Sequence, residues 1–98
     1  MLIFRMKRIW WDKIISGEKT HEYRKVGRYW GVRLFNESKK YKGKGGIPCM
    51  FTLGYPSAKD KSRIRHGKIK QVEKLITGLG TDLKVLEPVF DITFELEE

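Results

Sequence analysis

The chain has 98 residues, 40% of them hydrophobic, and 21 basic against 12 acidic side chains give it a formal net charge of +9. That length and apolar content fit one compact domain over residues 1–98, exclude general disorder, and allow folding without metals or disulfides. The lone cysteine, Cys49, excludes an internal disulfide, and the opening run MLIFRMKRIWW carries charges inside its apolar stretch. It reads as neither signal peptide nor membrane span, so a cytoplasmic domain without membrane contact is expected.

Leu2–Met6 reads as a strand, with Leu2, Phe4 and Met6 on one face. A short helix fits Ile9 to Ser16, where Trp10 with Ile14 and Trp11 with Ile15 fall four apart, and Gly17 stands where a helix commonly ends. Thr20–Val26 is strand-like, and Val32–Asn36 reads as another short strand. Ser38–Gly46 (SKKYKGKGG) is a basic loop on composition. Cys49–Tyr55 is expected as a strand and Pro56–Arg63 as a loop. Lys68–Ile76 fits both periods: Ile69, Val72, Leu75 and Ile76 suit a helix, whereas alternation through Val72, Lys74 and Ile76 suits a strand. Val89–Leu96 is a final strand, with Phe90, Ile92, Phe94 and Leu96 on one face. Short strands around one early helix, with room for a second helical segment at Lys68–Ile76, predict an α+β class and a small mixed β-barrel.

The charge is unevenly spread. From Asp82 onward six acids face Lys84 alone, so residues 1–81 carry 20 basic against six acidic side chains. Such a field concentrates phosphate-bearing partners whatever the fold. Two loops stand out: Lys39, Lys40, Lys42 and Lys44 around Tyr41, and Lys59, Lys61, Arg63 and Arg65 after Tyr55. Each pairs cations for a phosphate backbone with a ring for a base, and each also fits a merely solvated loop.

SGEKTHEYR, Ser16 to Arg24, gathers the polar side chains most suggestive of a site. An extended chain from Thr20 points Thr20, Glu22 and Arg24 one way and His21 and Tyr23 the other, with Lys19 at the turn. An ammonium, a carboxylate and a guanidinium thereby converge, either as a ligand site or as a surface ion pair. Two histidines and one cysteine without ligand-like spacing suggest no zinc site, and no metal or other cofactor is expected. Cys49 reads as a small buried hydrophobe, and His66, set among cations, as a surface group. One tryptophan of Trp10 and Trp11 is expected to pack on the barrel, with the other near the cleft or in the core.

IISGEKTHEYR, Ile14 to Arg24, resembles the signature of the ASCH domain family (activating signal cointegrator homology), a short helix ending in Gly-x-Lys-x-x-Glu-x-Arg. Gly17, Lys19, Glu22 and Arg24 meet it without a gap, behind a strand. The likeness extends more weakly over Val32–Asn36, Cys49–Tyr55 and Val89–Leu96. It implies a PUA-like fold, a small β-barrel with flanking helices, that binds RNA or modified nucleosides in a cleft beside the signature. Some relatives resemble hydrolases, including an amidohydrolase that deacetylates N4-acetylcytidine with a signature lysine and threonine and a distant glutamate. The lysine matches Lys19, Glu22 occupies the threonine position, Thr20 stands elsewhere in the motif, and Glu73 is nearest in order to the distant glutamate. The missing threonine favours a binding module. Were the chain an enzyme, a nuclease or modified-nucleoside hydrolase, Glu22 would be the base and Lys19 the electrostatic stabiliser. The expected RNA or nucleotide site is therefore Lys19, Glu22 and Arg24 in a cleft of a monomer. Lys39, Lys40, Tyr41, Lys42, Lys44, Tyr55, Lys59, Arg63 and Arg65 would flank it.

Overall fold

The structure, a computed structural model, describes residues 1–97. In chain order it comprises β1 (Leu2–Met6), α1 (Arg8–Ile15), β2 (His21–Lys25), α2 (Arg28–Lys40), β3 (Ile47–Leu53), β4 (Ile64–Leu75) and β5 (Val89–Leu96). A single turn of 3-10 helix, Lys61–Arg63, precedes β4. The strands form one sheet in the order β1-β3-β4-β5-β2, in which β1 and β3 run parallel and every other pair is antiparallel.

The sheet is curled into a half-barrel, and the α+β class is as expected. Strands β1 and β2 are its two edges, which in a flat sheet of five would stand about 19 Å apart. Instead Arg24 on β2 brings Nη2 to 3.9 Å from the sulfur of Met6 on β1. Its guanidinium lies 5.3 Å from the centre of the Phe4 ring, also on β1. The open seam is thus bridged by a side chain and not by backbone hydrogen bonds.

Inside the curl, alternate residues of β1 and β3 face one core: Leu2, Phe4 and Met6, with Cys49, Phe51 and Leu53. Phe4 stacks on Phe51 at 5.2 Å and Phe51 tilts against Phe94 of β5 at 4.5 Å, so aromatic rings form its spine. Phe4 and Phe51 are fully buried, and each such burial is worth about 1.5–3 kcal/mol. Trp11 and Ile14, three apart on α1, and Leu34 of α2 close the core from the helix side. Trp11 is the helix tryptophan that packs on the sheet; Trp10 is only half-buried.

One expectation is overturned and one open alternative is resolved. Val32–Asn36 is not a strand but the middle of the thirteen-residue helix α2, which also takes in Ser38–Lys40 of the expected loop. Its inward face runs Trp30, Leu34, Glu37 and Tyr41, a helical repeat, while Val32 and Phe35, the source of the strand-like look, are exposed. Of the two periods that Lys68–Ile76 fits, the strand is the one adopted, since Lys68 to Leu75 belong to the long strand β4. Register slips there: Ile69 pairs with Phe94, Gln71 with Thr93 and Val72 with Ile92, leaving Lys70 as a bulge. The bulge turns Ile69 and Val72, three apart, to the same core face and so imitates helical spacing. Strand β3 begins two residues before the expected Cys49 and ends at Leu53, leaving Tyr55 outside it and 83% exposed. Among the described residues no helix is long and apolar enough to cross a membrane.

Candidate functional site

Helix α1 ends as its sequence predicts. Gly17 takes the left-handed φ of +84°, and the chain turns back so that the Lys19 amide donates to the Lys13 carbonyl at 2.9 Å. This sets the Lys19 side chain beside α1, where it is only 9% exposed. Its ammonium lies 5.6 Å from the Trp10 ring centre and 5.1 Å from that of Tyr23. Nζ donates to Asp82 Oδ2 and stands 3.4 Å from Glu22 Oε1.

Strand β2 then alternates as expected. Glu22 pairs in register with Ile92 and Arg24 with Phe90 on the core side, while His21 and Tyr23 pair with Thr93 and Asp91 on the outer side. Glu22 is 5% exposed, and its Oε2 accepts from Arg24 Nη2 at 2.5 Å. Asp82, Lys19, Glu22 and Arg24 therefore form a row of alternating charge with no net sign. Lys19 is thus not a free cation but is paired with two carboxylates. Arg24 Nε is buried without an acceptor, so that group loses no bond if the guanidinium turns toward a ligand oxygen.

Glu22, Arg24 and Asp82 of this row line a cleft of about 460 Å3, whereas Lys19, expected in the cleft, does not line it and faces a smaller hollow with Thr20 and His21. Trp10, Tyr23 and Trp30 bring aromatic rings to the cleft, Trp30 being itself stacked on Phe4 at 5.1 Å; Met6 and Leu83 line it further, and the cations Arg5, Lys7 and Lys25 stand around it. Burial, and then the charges of Asp91 and Asp82, push the Tyr23 hydroxyl above its ordinary pKa, so it stays a donor at neutral pH. A second cleft, of about 600 Å3, lies between β1 and α2 and shares Arg5, Arg24 and Trp30 with the first.

The other expected residues fall elsewhere. Lys39 and Lys40 end α2, Lys42 and Lys44 are exposed on the following turn, and none of the four lines either cleft. Tyr41 is half-buried against the core and lines neither cleft. Lys59 is exposed, Arg63 lies 4.0 Å from Asp60, and Arg65 sits half-buried on β4, again outside both clefts. Tyr55 does line the second cleft, under the Arg5 guanidinium at 4.4 Å.

Several groups at the site were not anticipated. Asp82 comes from the 76–88 connection, 63 residues from its partner Lys19, and is held near it by Thr81, whose hydroxyl donates to the Gly78 carbonyl at 2.7 Å. Arg5, Trp30 and Arg33 reach the clefts from β1 and α2. On the outer face His21 Nδ1 lies 2.6 Å from Asp91 Oδ1. A hydrolytic role gains nothing here: both Glu22 oxygens already face cations, and Glu73, in register with Asp91 and Tyr23, lies on the sheet face opposite to Glu22. Among the described residues no three His, Cys, Asp or Glu side chains gather as metal ligands.

No protein-family model matches the chain, and neither a curated protein nor a solved structure does.

Proposed function

We propose that this chain is an ASCH protein of PUA-like fold that binds RNA or a nucleotide-like ligand, with a nucleobase of that ligand in the 460 Å3 cleft. The carrying observation is the pairing, in one cleft, of three aromatic side chains with Glu22, Arg24 and Asp82, a charged wall that Lys19 brings to neutrality from outside the lining. Flat rings offer a base its stacking surface, worth about 1–3 kcal/mol per base. A fixed row of carboxylates and cations offers acceptors and donors to the edge of a base, and a neutral row has no preference for an anion over a base. Phosphate would instead meet Arg5, Lys7 and Lys25 around the cleft. The half-barrel with two helices and the gap-free signature at Gly17, Lys19, Glu22 and Arg24 are what support the family reading.

Trp10 and Trp30 both line the cleft, so intrinsic fluorescence reports its occupancy. Titration with nucleosides, nucleotides and short RNA should quench wild-type fluorescence, and Glu22→Gln, checked by its melting curve, should bind at least about 10-fold more weakly. Binding confined to low salt and indifferent to Glu22→Gln would reject the cleft and leave only a non-specific basic surface. Turnover of a nucleoside or RNA that is lost in Lys19→Met and Glu22→Gln would instead establish the hydrolase alternative.

A further inference from the structure

We infer that the 600 Å3 cleft seats the phosphate and the neighbouring nucleotide of a single-stranded oligonucleotide whose other base occupies the 460 Å3 cleft; the inference rests on the binding function proposed above. The two clefts adjoin, because Arg5, Arg24 and Trp30 line both. Each compartment falls within the roughly 300–1,000 Å3 of small-ligand pockets. An oligonucleotide with one unit in each would carry its linking phosphodiester past the Arg5 and Arg24 guanidiniums.

The 600 Å3 cleft carries Arg5, Arg24 and Arg33, and its one carboxylate, Glu37, is paired with the Met1 N-terminus at 3.3 Å. Lys19 and Arg24 are already matched by Glu22 and Asp82, but among the described residues neither Arg5 nor Arg33 has a carboxylate within 4.0 Å. The Arg33 guanidinium sits over the Tyr29 ring at 3.5 Å, with Nη1 donating to the Tyr29 carbonyl at 3.0 Å, and that of Arg5 over the Tyr55 ring at 4.4 Å. The ring contacts position each guanidinium while its remaining N–H groups stay available, and a guanidinium can grip phosphate with two donors. Tyr29 and Tyr55 are 60% and 83% exposed, which leaves ring surface for a second base. A duplex presents its bases already paired and stacked, so it cannot fill either compartment.

The test is a titration of wild type, Arg33→Ala and Glu22→Gln with a nucleoside, a pentanucleotide of RNA, the same sequence in DNA, and a duplex. Arg33 is exposed and its ring partner lies on its own helix, so Arg33→Ala should melt as wild type does. Nucleoside affinity should be unchanged in Arg33→Ala, pentanucleotide affinity should drop about 10-fold, and the salt slope should shrink by about one unit. Either equal binding of RNA and DNA strands or a preference for RNA supports binding across both clefts, provided that the duplex binds more weakly. A pentanucleotide held equally by wild type and Arg33→Ala, yet lost in Glu22→Gln, overturns the second compartment and spares the base cleft. Equal binding of duplex and single strand also overturns it. Absence of binding to every probe overturns both readings.

Discussion

Arg24 and Met6 stand on the two opposite edges of the sheet and meet at 3.9 Å across the seam of the half-barrel. The same guanidinium holds Glu22 at 2.5 Å and lies 5.0 Å from the centre of the Trp30 ring, tying together β1, β2 and α2. The residue that shapes the polar wall is thus also what spans the seam.

Arg24→Ala should therefore cost about 2–3 kcal/mol, because Glu22 would keep only Lys19 as a partner while remaining buried. The urea midpoint measures this. Replacing both partners by apolar groups, as in Glu22→Leu with Arg24→Met, should recover more than half of the loss while still abolishing base binding. A double variant no more stable than the single one would mean that the pair stabilises the fold beyond what apolar packing can replace.

Lys19→Met and Asp82→Asn separate burial from charge. The Lys19 side chain is 8% exposed and faces two carboxylates, whereas that of Asp82 is 34% exposed. Lys19→Met should cost about 2 kcal/mol, lowering Tm by roughly 10 °C for a domain of this size, and Asp82→Asn no more than about 1 kcal/mol. Calorimetric melts that show the reverse order would place the weight of the row on Asp82.

The fold was legible wherever a strand's partners impose a simple alternation. Leu2–Met6 and Val89–Leu96 are read residue for residue, and α1 to within one position at each end. Strand β4 was ambiguous because a bulge at Lys70 resets its phase, and a register slip has no mark in one sequence. Helix α2 was misread for a different reason: the short window Val32–Asn36 has strand-like residues, while the helical repeat of Trp30, Leu34 and Tyr41 extends across it and into the expected loop. At the site, Lys19, Glu22 and Arg24 were legible because six residues of local geometry bring them together. Asp82 was not, since it arrives from far along the chain, and so the neutralisation of Lys19 was invisible to a count of charges.

Gly78 links the packing of the 76–88 connection to the site. A Cβ there would fall 2.8 Å from Val89 Cγ1 and 2.9 Å from Val85 Cγ2, with the Val85 carbonyl at 3.1 Å. Gly78→Ala should cost about 1–3 kcal/mol by overpacking and carry Asp82 away from Lys19. Combined with Asp82→Asn, its cost should then be less than additive. Strict additivity in chemical denaturation would show that Asp82 keeps its place independently of Gly78.

Cys49 provides a probe of the core beneath the seam. It is fully buried on β3, and that burial, with a smaller contribution from the Glu97 charge, pushes its thiol up to about 12. The unfolded thiol titrates near 8.5, so on raising the pH the unfolded chain releases this proton first. The contribution of the thiol to stability is therefore intact below about pH 8.5 and is lost progressively as the pH rises toward 12. At pH 8 the native protein should react with a thiol reagent only through opening, at least about 1,000-fold more slowly than in urea. The slow rate should also scale with global stability across the Arg24 and Lys19 variants. A native rate within about tenfold of the unfolded one would mean that β3 opens locally, and the half-barrel would then lack the closed core that its aromatic spine implies.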